Sequence, residues 1–405
     1  MRAKTGIWLV GACGNVGMMT MVGARAIAHG LAGRAGLVTD LKELRALPLV
    51  PLENFVFGGH EVSDRTLYES ARDFGRRAGV ITDRMLDGIR EDLDAIQADI
   101  RPGVCQRPIR SLDGTGRSVA GPSTAVATIR HDIDDFRTRH ALDDVIVVNV
   151  ASTEPQPDDR PEWESLTRLR AALDDDRAEV FPTSMLYAYA ALDGGYPYVN
   201  FTPSTGASVP ALDELARARG TVHAGRDGKT GETLVKTTLA PLFALRNLSV
   251  LAWEGYNMLG NPDGEALRDP AARRAKCTSK DRSLRSILGA EAGHSSVHID
   301  FVPSLDDWKV AFDYIHFEGF LGARMAMQFT WQGCDSALAA PLVLDLARLA
   351  ALAHTRGESG ALAHTACFFK DPDGVDVHAF PEQFELLRAY VRRSAGEAGT
   401  SARTA

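Results

Sequence analysis

Residues 6–17, Gly6-Ile7-Trp8-Leu9-Val10-Gly11-Ala12-Cys13-Gly14-Asn15-Val16-Gly17, carry the reading on which the fold turns. An apolar run ends in glycine, and Asn15 to His29 then has helical composition, which predicts strand, turn and helix in succession. This is the opening of a doubly wound α/β fold. Its glycines form G-x-x-G-x-x-G at the junction, where a backbone without side chains lets a pyrophosphate meet the amides of a helix N-terminus. The spacing departs from G-x-G-x-x-G, and no acidic residue follows about twenty residues later to hold a ribose. A tight turn serving helix packing alone is the competing reading.

Outward from this stretch, Phe55 to Glu61 and Asp144 to Ser152 read as further buried parallel strands, with helical segments such as Ser63 to Gly79 between them. The pattern changes after Pro203. Leu248 to Glu254, Ser296 to Pro303, Asp307 to Phe317 and Ala323 to Gln332 are strand candidates, several alternating apolar with polar, as in a more antiparallel sheet with one exposed or interface-forming face. From Ser336 the chain is helical again, and Glu382 to Arg393 is an amphipathic helix candidate. Ser394 to Ala405 is small and polar and reads as a disordered tail.

At 405 residues the chain is long enough for at least two domains. A net charge of -8 argues against general affinity for nucleic acid or anionic membrane, so any basic site must be local. Cys13, Cys105, Cys277, Cys334 and Cys367 are scattered without a Cys-x-x-Cys pair and read as free buried thiols in a reducing compartment. The N-terminus offers neither signal peptide nor spanning helix, and the apolar stretch Ala337 to Ala353 is broken by Asp345 and Arg348. A cytoplasmic location is expected.

Four lysines, Lys229, Lys280, Lys309 and Lys370, lie downstream of the glycine loop in contexts suited to a phosphorylated sugar. Gly225 to Thr233 (GRDGKTGET) brings Lys229, Thr230 and Thr233 together with flexible glycine backbone, the equipment for wrapping a phosphate, although it is no P-loop and a solvated turn competes. Tyr256 to Gly264 (YNMLGNPDG) offers Asn257, Asn261 and Asp263 to sugar hydroxyls, and taken alone it signals a turn. Ser152 and Thr153, in VVNVASTEP, sit where a strand end can face a nicotinamide. His294 and His298 would suit a metal on a helix, but Val-His-Ile-Asp-Phe-Val reads as strand, and no metal site is expected there.

Taken together, GACGNVG, FGGHEV, NVASTEP, GRDGKTGET, YNMLGNPDG, Ser279-Lys280, DDWK ending at Lys309, CDSALAAPLVLDL and FFK ending at Lys370 resemble the myo-inositol-1-phosphate synthase family, in its bacterial branch, over residues 6 to about 390. The resemblance implies tightly held NAD and an isomerisation of glucose 6-phosphate without net redox change: oxidation at C5, removal of a C6 hydrogen, aldol closure and reduction. Each step sets a cation beside a developing oxyanion, and lysines in a desolvated pocket also serve as acid or base. It implies Lys280 as acid/base with Asp227 as partner, and Lys309 and Lys370 at the enolate, the aldol oxygen or the phosphate. It assigns Lys229, Thr230, Gly231, Glu232, Thr233, Asn257, Leu259 and Asn261 to substrate. It assigns Gly11, Gly14, Asn15, Val16, Gly17, Glu61, Ser152, Thr153, Asp263, Asp335 and Ser336 to cofactor. A mono- or divalent cation at the phosphate is left open.

The implied architecture is an NAD-binding Rossmann-type domain at 1–203, an inserted central α/β catalytic and tetramerisation domain at 204–334, helices returning to the first domain at 335–393, and the tail. A homotetramer built through the central sheet is expected. Two departures stand out. Leu284 occupies a position where many relatives carry a second lysine, and Glu232 one where others carry Gln, a carboxylate that should repel phosphate unless Lys229 neutralises it. Leu284 keeps open fructose 6-phosphate as substrate, with a five-membered cyclitol phosphate as product. A sugar-phosphate dehydrogenase that accumulates NADH and a dinucleotide-sensing regulator are the readings from other classes.

Overall fold

The computed structural model describes residues 4–105, 116–155, 157–261, 264, 284–289 and 293–401. Two sheets organise them. The first β-strand, β1 (Thr5–Val10), pairs in parallel with β2 (Phe55–Glu61) on one side and β4 (Asp144–Asn149) on the other. The edge strand β3 (Ile100–Pro102) follows β2, while β5 (Tyr198–Asn200), β6 (Val222–Ala224) and β11 (Gly360–Ala361) extend the sheet beyond β4. Read from one edge the order is 3-2-1-4-5-6, with β11 added outside. That is the doubly wound order expected from the glycine loop, and the direction of winding reverses between β1 and β4.

Alternate residues of β1 face opposite cores: Ile7 and Leu9 join one apolar cluster, Trp8 and Val10 the other. Continuous burial on both faces explains why the strand is apolar throughout instead of alternating. One face is covered by α1 (Asn15–Ala28), α2 (Leu67–Ala78), α3 (Asp83–Gly88) and α4 (Arg90–Gln97), and by a 21-residue helix at Asp335–Thr355. The other is covered by α5 (Pro122–His140), α6 (Leu166–Asp174), α7 (Thr183–Asp193) and α8 (Pro210–Arg219). The 21-residue helix is long and apolar enough by composition to cross a membrane, yet it packs on β4, β5 and β6. Its Asp345 accepts from the amides of Val38 (2.6 Å) and Thr39 (3.1 Å), and Arg348 donates to Val50 O, so the two charges that interrupt the apolar stretch anchor a loop.

The second sheet has the order β10-β9-β7-β8, built from β7 (Ser249–Leu259), β8 (His294–Phe301), β9 (Trp308–Glu318) and β10 (Arg324–Cys334). β10/β9 and β9/β7 are antiparallel, and β7/β8 is parallel. Helix α9 (Glu232–Leu245) covers one face, where Phe243, Trp253, Ile315 and Leu284 form a small core. The helix at Asp335–Thr355, numbered α10, and a last helix, α11 (Phe380–Ser401), follow β10 in the chain.

Two expectations are corrected. The boundary at residue 203 falls too early, because α8 and β6 belong to the large sheet, where β6 pairs with β5 and β11. The tail expected from Ser394 is instead helical to Ser401, as a continuation of α11, whose Tyr390 and Val391 are buried in the large core.

Candidate active site

The turn after β1 lies at the point where the sheet order reverses. Gly11 has φ +87, and a Cβ there would sit 2.8 Å from Ala151 Cα, so only glycine lets the turn pass the end of β4. At Gly17 a Cβ would meet Gly11 O at 2.6 Å, which sets how closely α1 can approach the turn. Gly14 caps α1 and is exposed, leaving Asn15, Val16 and the first amides of the helix at the crevice. This bare helix start fits a pyrophosphate.

The acid missing from the motif stands at the end of the neighbouring strand. Glu61 closes β2 and accepts from Cys13 N (2.7 Å), Val62 N (2.8 Å) and Ser63 N (2.9 Å). A long connection between α1 and β2 moves it far along the chain while leaving it at the strand end that holds the ribose in this fold. Ser152 and Thr153 follow Ala151 beyond β4, on the same edge. Cys13, Cys334 and Cys367 are free and buried, and burial pushes each thiol up to about 12.

Asp307, just ahead of β9, was quoted in the sequence only as part of DDWK, yet it joins the two halves of the site. It is 2% exposed and accepts from Asn15 Nδ2 (3.2 Å), Ser336 N (2.7 Å), Ser336 Oγ (2.9 Å) and Cys334 Sγ (3.3 Å). It therefore caps the start of α10 from outside and ties it to α1. Burial raises its pKa, against these hydrogen bonds. The next link is Asp335, which accepts from Thr230 Oγ1 at 3.0 Å. Asn15, Asp335 and Ser336, expected at the cofactor, are thus connected to the GRDGKTGET loop.

That loop runs against residues 368–371. Gly228 bridges Phe369 in antiparallel fashion, Lys229 N donates to Phe368 O (2.8 Å) and Lys370 N to Asp227 O (2.7 Å). The short ladder brings together side chains 143 positions apart: Lys370 Nζ donates to Asp227 Oδ1 at 2.8 Å, with both side chains little exposed. Lys229 points away from it. Its ammonium is buried, donates to Gln383 of α11 and lies 5.8 Å from the Phe380 ring centroid, and burial pushes its pKa down to about 7.

Gly231 caps α9, so Glu232 and Thr233 are its first residues. Thr233 is 2% exposed, and its hydroxyl has no hydrogen-bond partner among the described residues. The expected neutralisation of Glu232 by Lys229 is not found. Its carboxylate is buried against Lys236 Nζ at 2.6 Å, one helical turn on, because Lys229 is drawn to α11. Lys236 and Asp313, which sits 3.4 Å from the same ammonium, carried no expectation in the sequence.

On the α9 side of the second sheet, period-two geometry aligns Lys309 with Ala311 and Asp313, and Asn257 and Leu259 with Gly255. Asn257 and Leu259 are buried, and Asn257 Nδ2 reaches His298 O at 3.4 Å. Lys309 is half-buried and has no ion-pair partner among the described residues. Asn261 Oδ1 accepts from Gly264 N at 3.0 Å. Leu284 is 2% exposed and fills the apolar core with Phe243, Trp253 and Ile315. His294 and His298 lie on β8 with Glu254 at 2.9 and 3.5 Å, as strand residues. Lys280, Asp263 and Cys277 lie outside the described residues.

A Rossmann-type sheet with a glycine turn and a bare helix start, joined to a second sheet, defines the class of dinucleotide-binding α/β proteins. The family model described as myo-inositol-1-phosphate synthase, an NAD-binding model, matches residues 5–392. The chain belongs to that family, and it is an NAD-dependent enzyme of the intramolecular isomerase/lyase class. It is 32% identical over 417 aligned residues to inositol-3-phosphate synthase 1 of Bacteroides thetaiotaomicron, covering 97% of this chain and 96% of that protein. The crystal structure of inositol-3-phosphate synthase from Caenorhabditis elegans superimposes with a TM-score of 0.86 at 25% identity, covering 98% of this chain and 86% of that one. A myo-inositol-1-phosphate synthase-related protein from Thermotoga maritima has the same fold, with a TM-score of 0.77 at 24% identity over 96% and 98% of the two chains.

Proposed function

We propose that the chain cyclises D-glucose 6-phosphate to 1D-myo-inositol 3-phosphate. The observation that carries this reading is the physical junction of the two sites, in which Thr230 bonds Asp335 at 3.0 Å beside the Asp227–Lys370 pair. NAD, when bound, would supply hydride acceptance and return at C5, so that no net oxidation accompanies turnover. Gly11 to Gly17, Glu61, Ser152, Thr153, Asp335 and Ser336 would hold and orient it.

The substrate phosphate is proposed at the start of α9, where the amides of a helix N-terminus and the Thr233 hydroxyl, without a hydrogen-bond partner among the described residues, favour an anion. Thr230 and Gly231 complete that turn, and Asn257, Leu259 and Asn261 form the adjoining wall. Oxidation at C5 acidifies the C6 hydrogens, and the enolate then closes on C1. Lys370, fixed by Asp227, and Lys309, without an anionic partner among the described residues, stabilise the enolate and aldol oxygens as preorganised cations. Lys280 is assigned the proton at the C5 hydroxyl on its motif position.

The fructose 6-phosphate reading rested on Leu284, and the burial of that side chain among Phe243 and Trp253 removes its support. A homotetramer is proposed through the second sheet, whose Tyr256 and Tyr314 are exposed, with Phe320 and Leu321 exposed in the turn between β9 and β10. Substrate dideuterated at C6 tests the chemistry. The inositol phosphate formed should retain one deuterium, whereas a simple dehydrogenase would retain both and accumulate NADH.

A further inference from the structure

Glu232 sits at the first position of α9, where a side-chain carboxylate is ordinarily drawn to the helix amides by the dipole. The substrate phosphate needs those same amides under the reading above, so the carboxylate is a built-in competitor. In the structure it is turned away. Its oxygen lies 2.6 Å from Lys236 Nζ, and the two side chains are 1% and 3% exposed. Asp313, with a fully buried side chain, lies 3.4 Å from the same ammonium and itself accepts from Trp253 Nε1 at 2.8 Å. Lys236 Nζ is 5.9 Å from the Trp253 ring centroid. Gly255 provides the space: a Cβ there would meet Glu232 Oε1 and Lys236 Nζ, each at 2.7 Å.

We propose that Lys236, pinned by Asp313 and Trp253, is a positioning residue that sequesters the Glu232 carboxylate and so keeps the start of α9 open to the substrate phosphate. The inference rests on the proposed hexose 6-phosphate reading. It assigns the cation that neutralises Glu232 and gives Asp313 a role outside the chemistry. Among the described residues the cluster holds two carboxylates and one ammonium, and burial raises the pKa of Asp313, which limits the negative charge. Loss of Lys236 would remove a cation 2.6 Å from the buried Glu232 carboxylate and weaken what turns it away from the helix amides.

The test compares wild type, Lys236→Gln and Lys236→Gln/Glu232→Gln for binding of glucose 6-phosphate to the NAD-loaded protein by calorimetry. The single variant should bind at least about tenfold more weakly with NAD affinity unchanged, and the double variant should return to within about fivefold of wild type. A merely structural lysine would not be rescued by removing the carboxylate it holds. Wild-type-like binding by the single variant, or a double variant weaker than that fivefold limit, overturns the proposal. Should the single variant fail to fold, the double variant against wild type decides by the same limit. A wild type that binds no hexose 6-phosphate overturns the functional reading and this inference together.

Discussion

In the seven-stranded sheet, the site is made mainly of backbone: a glycine turn, the bare start of α1, and strand ends whose parallel register brings Gly11, Glu61 and Ala151 together. In the loops beyond β6 and β11, and in the four-stranded sheet with α9, the site is made of side chains. Asp227 meets Lys370 from 143 residues away, and Glu232, Lys236 and Asp313 form a buried ionic cluster. A pyrophosphate can be held by amides that every sequence possesses, so the first region needs only shape. Oxyanions formed on carbon need full charges, and charges near an apolar core persist only when partners hold them. The two regions should therefore fail differently when altered.

The largest effect is expected in the second region. Lys370→Met removes a preorganised cation and should lower kcat by ~10²–10³-fold, while NAD affinity, measured by fluorescence titration, stays unchanged. The converse substitution, Gly17→Val, forces a side chain against Gly11 O and should weaken NAD binding by at least about tenfold, from a packing cost on the order of 1–3 kcal/mol. Circular dichroism should show the second sheet intact. If both variants lose NAD to the same degree, the division of labour between the two regions is broken.

Lys229 sharpens the comparison through pH. Burial sets its native pKa at about 7, below the ~10.4 of an unfolded lysine. Between those values the unfolded chain binds more protons, so this group's penalty is full below about pH 7 and fades as pH rises toward ~10. Lys229→Met should accordingly raise Tm by several degrees near pH ~6 and by less near pH ~9. The same gain at both values would show the ammonium to be solvated.

The smallest effect is expected at Leu284. Leu284→Met should cost less than ~1.5 kcal/mol and leave the product unchanged, because the side chain fills the core beside Trp253. A new product from this variant, seen by mass spectrometry, would return Leu284 to the acceptor pocket.

The same contrast explains what could be read from the chain. Gly11 to Gly17 and the apolar strands signal the first sheet locally, since strand, turn and helix are contiguous and both faces of β1 are buried. β6 and β11 are three and two residues long, too short for periodicity, so the extent of the large sheet was misjudged. In the second region no local pattern pairs Asp227 with Lys370. Only the resemblance placed them in one site, and it said nothing of Asp307, whose function is to join α1 to α10. The Glu232–Lys236 pair was visible as an i,i+4 match, but its burial under Gly255 depends on a strand that arrives later in the chain.

The central claim is that the two regions act on one hexose 6-phosphate in a closed redox cycle. Its most direct test is to incubate the protein with NAD and glucose 6-phosphate, follow reduced nicotinamide by absorbance, and identify the product by phosphorus NMR and mass spectrometry. The account predicts inositol phosphate with no net NADH. Stoichiometric NADH without a carbocycle, or a cyclopentane polyol phosphate made only from fructose 6-phosphate, would contradict it.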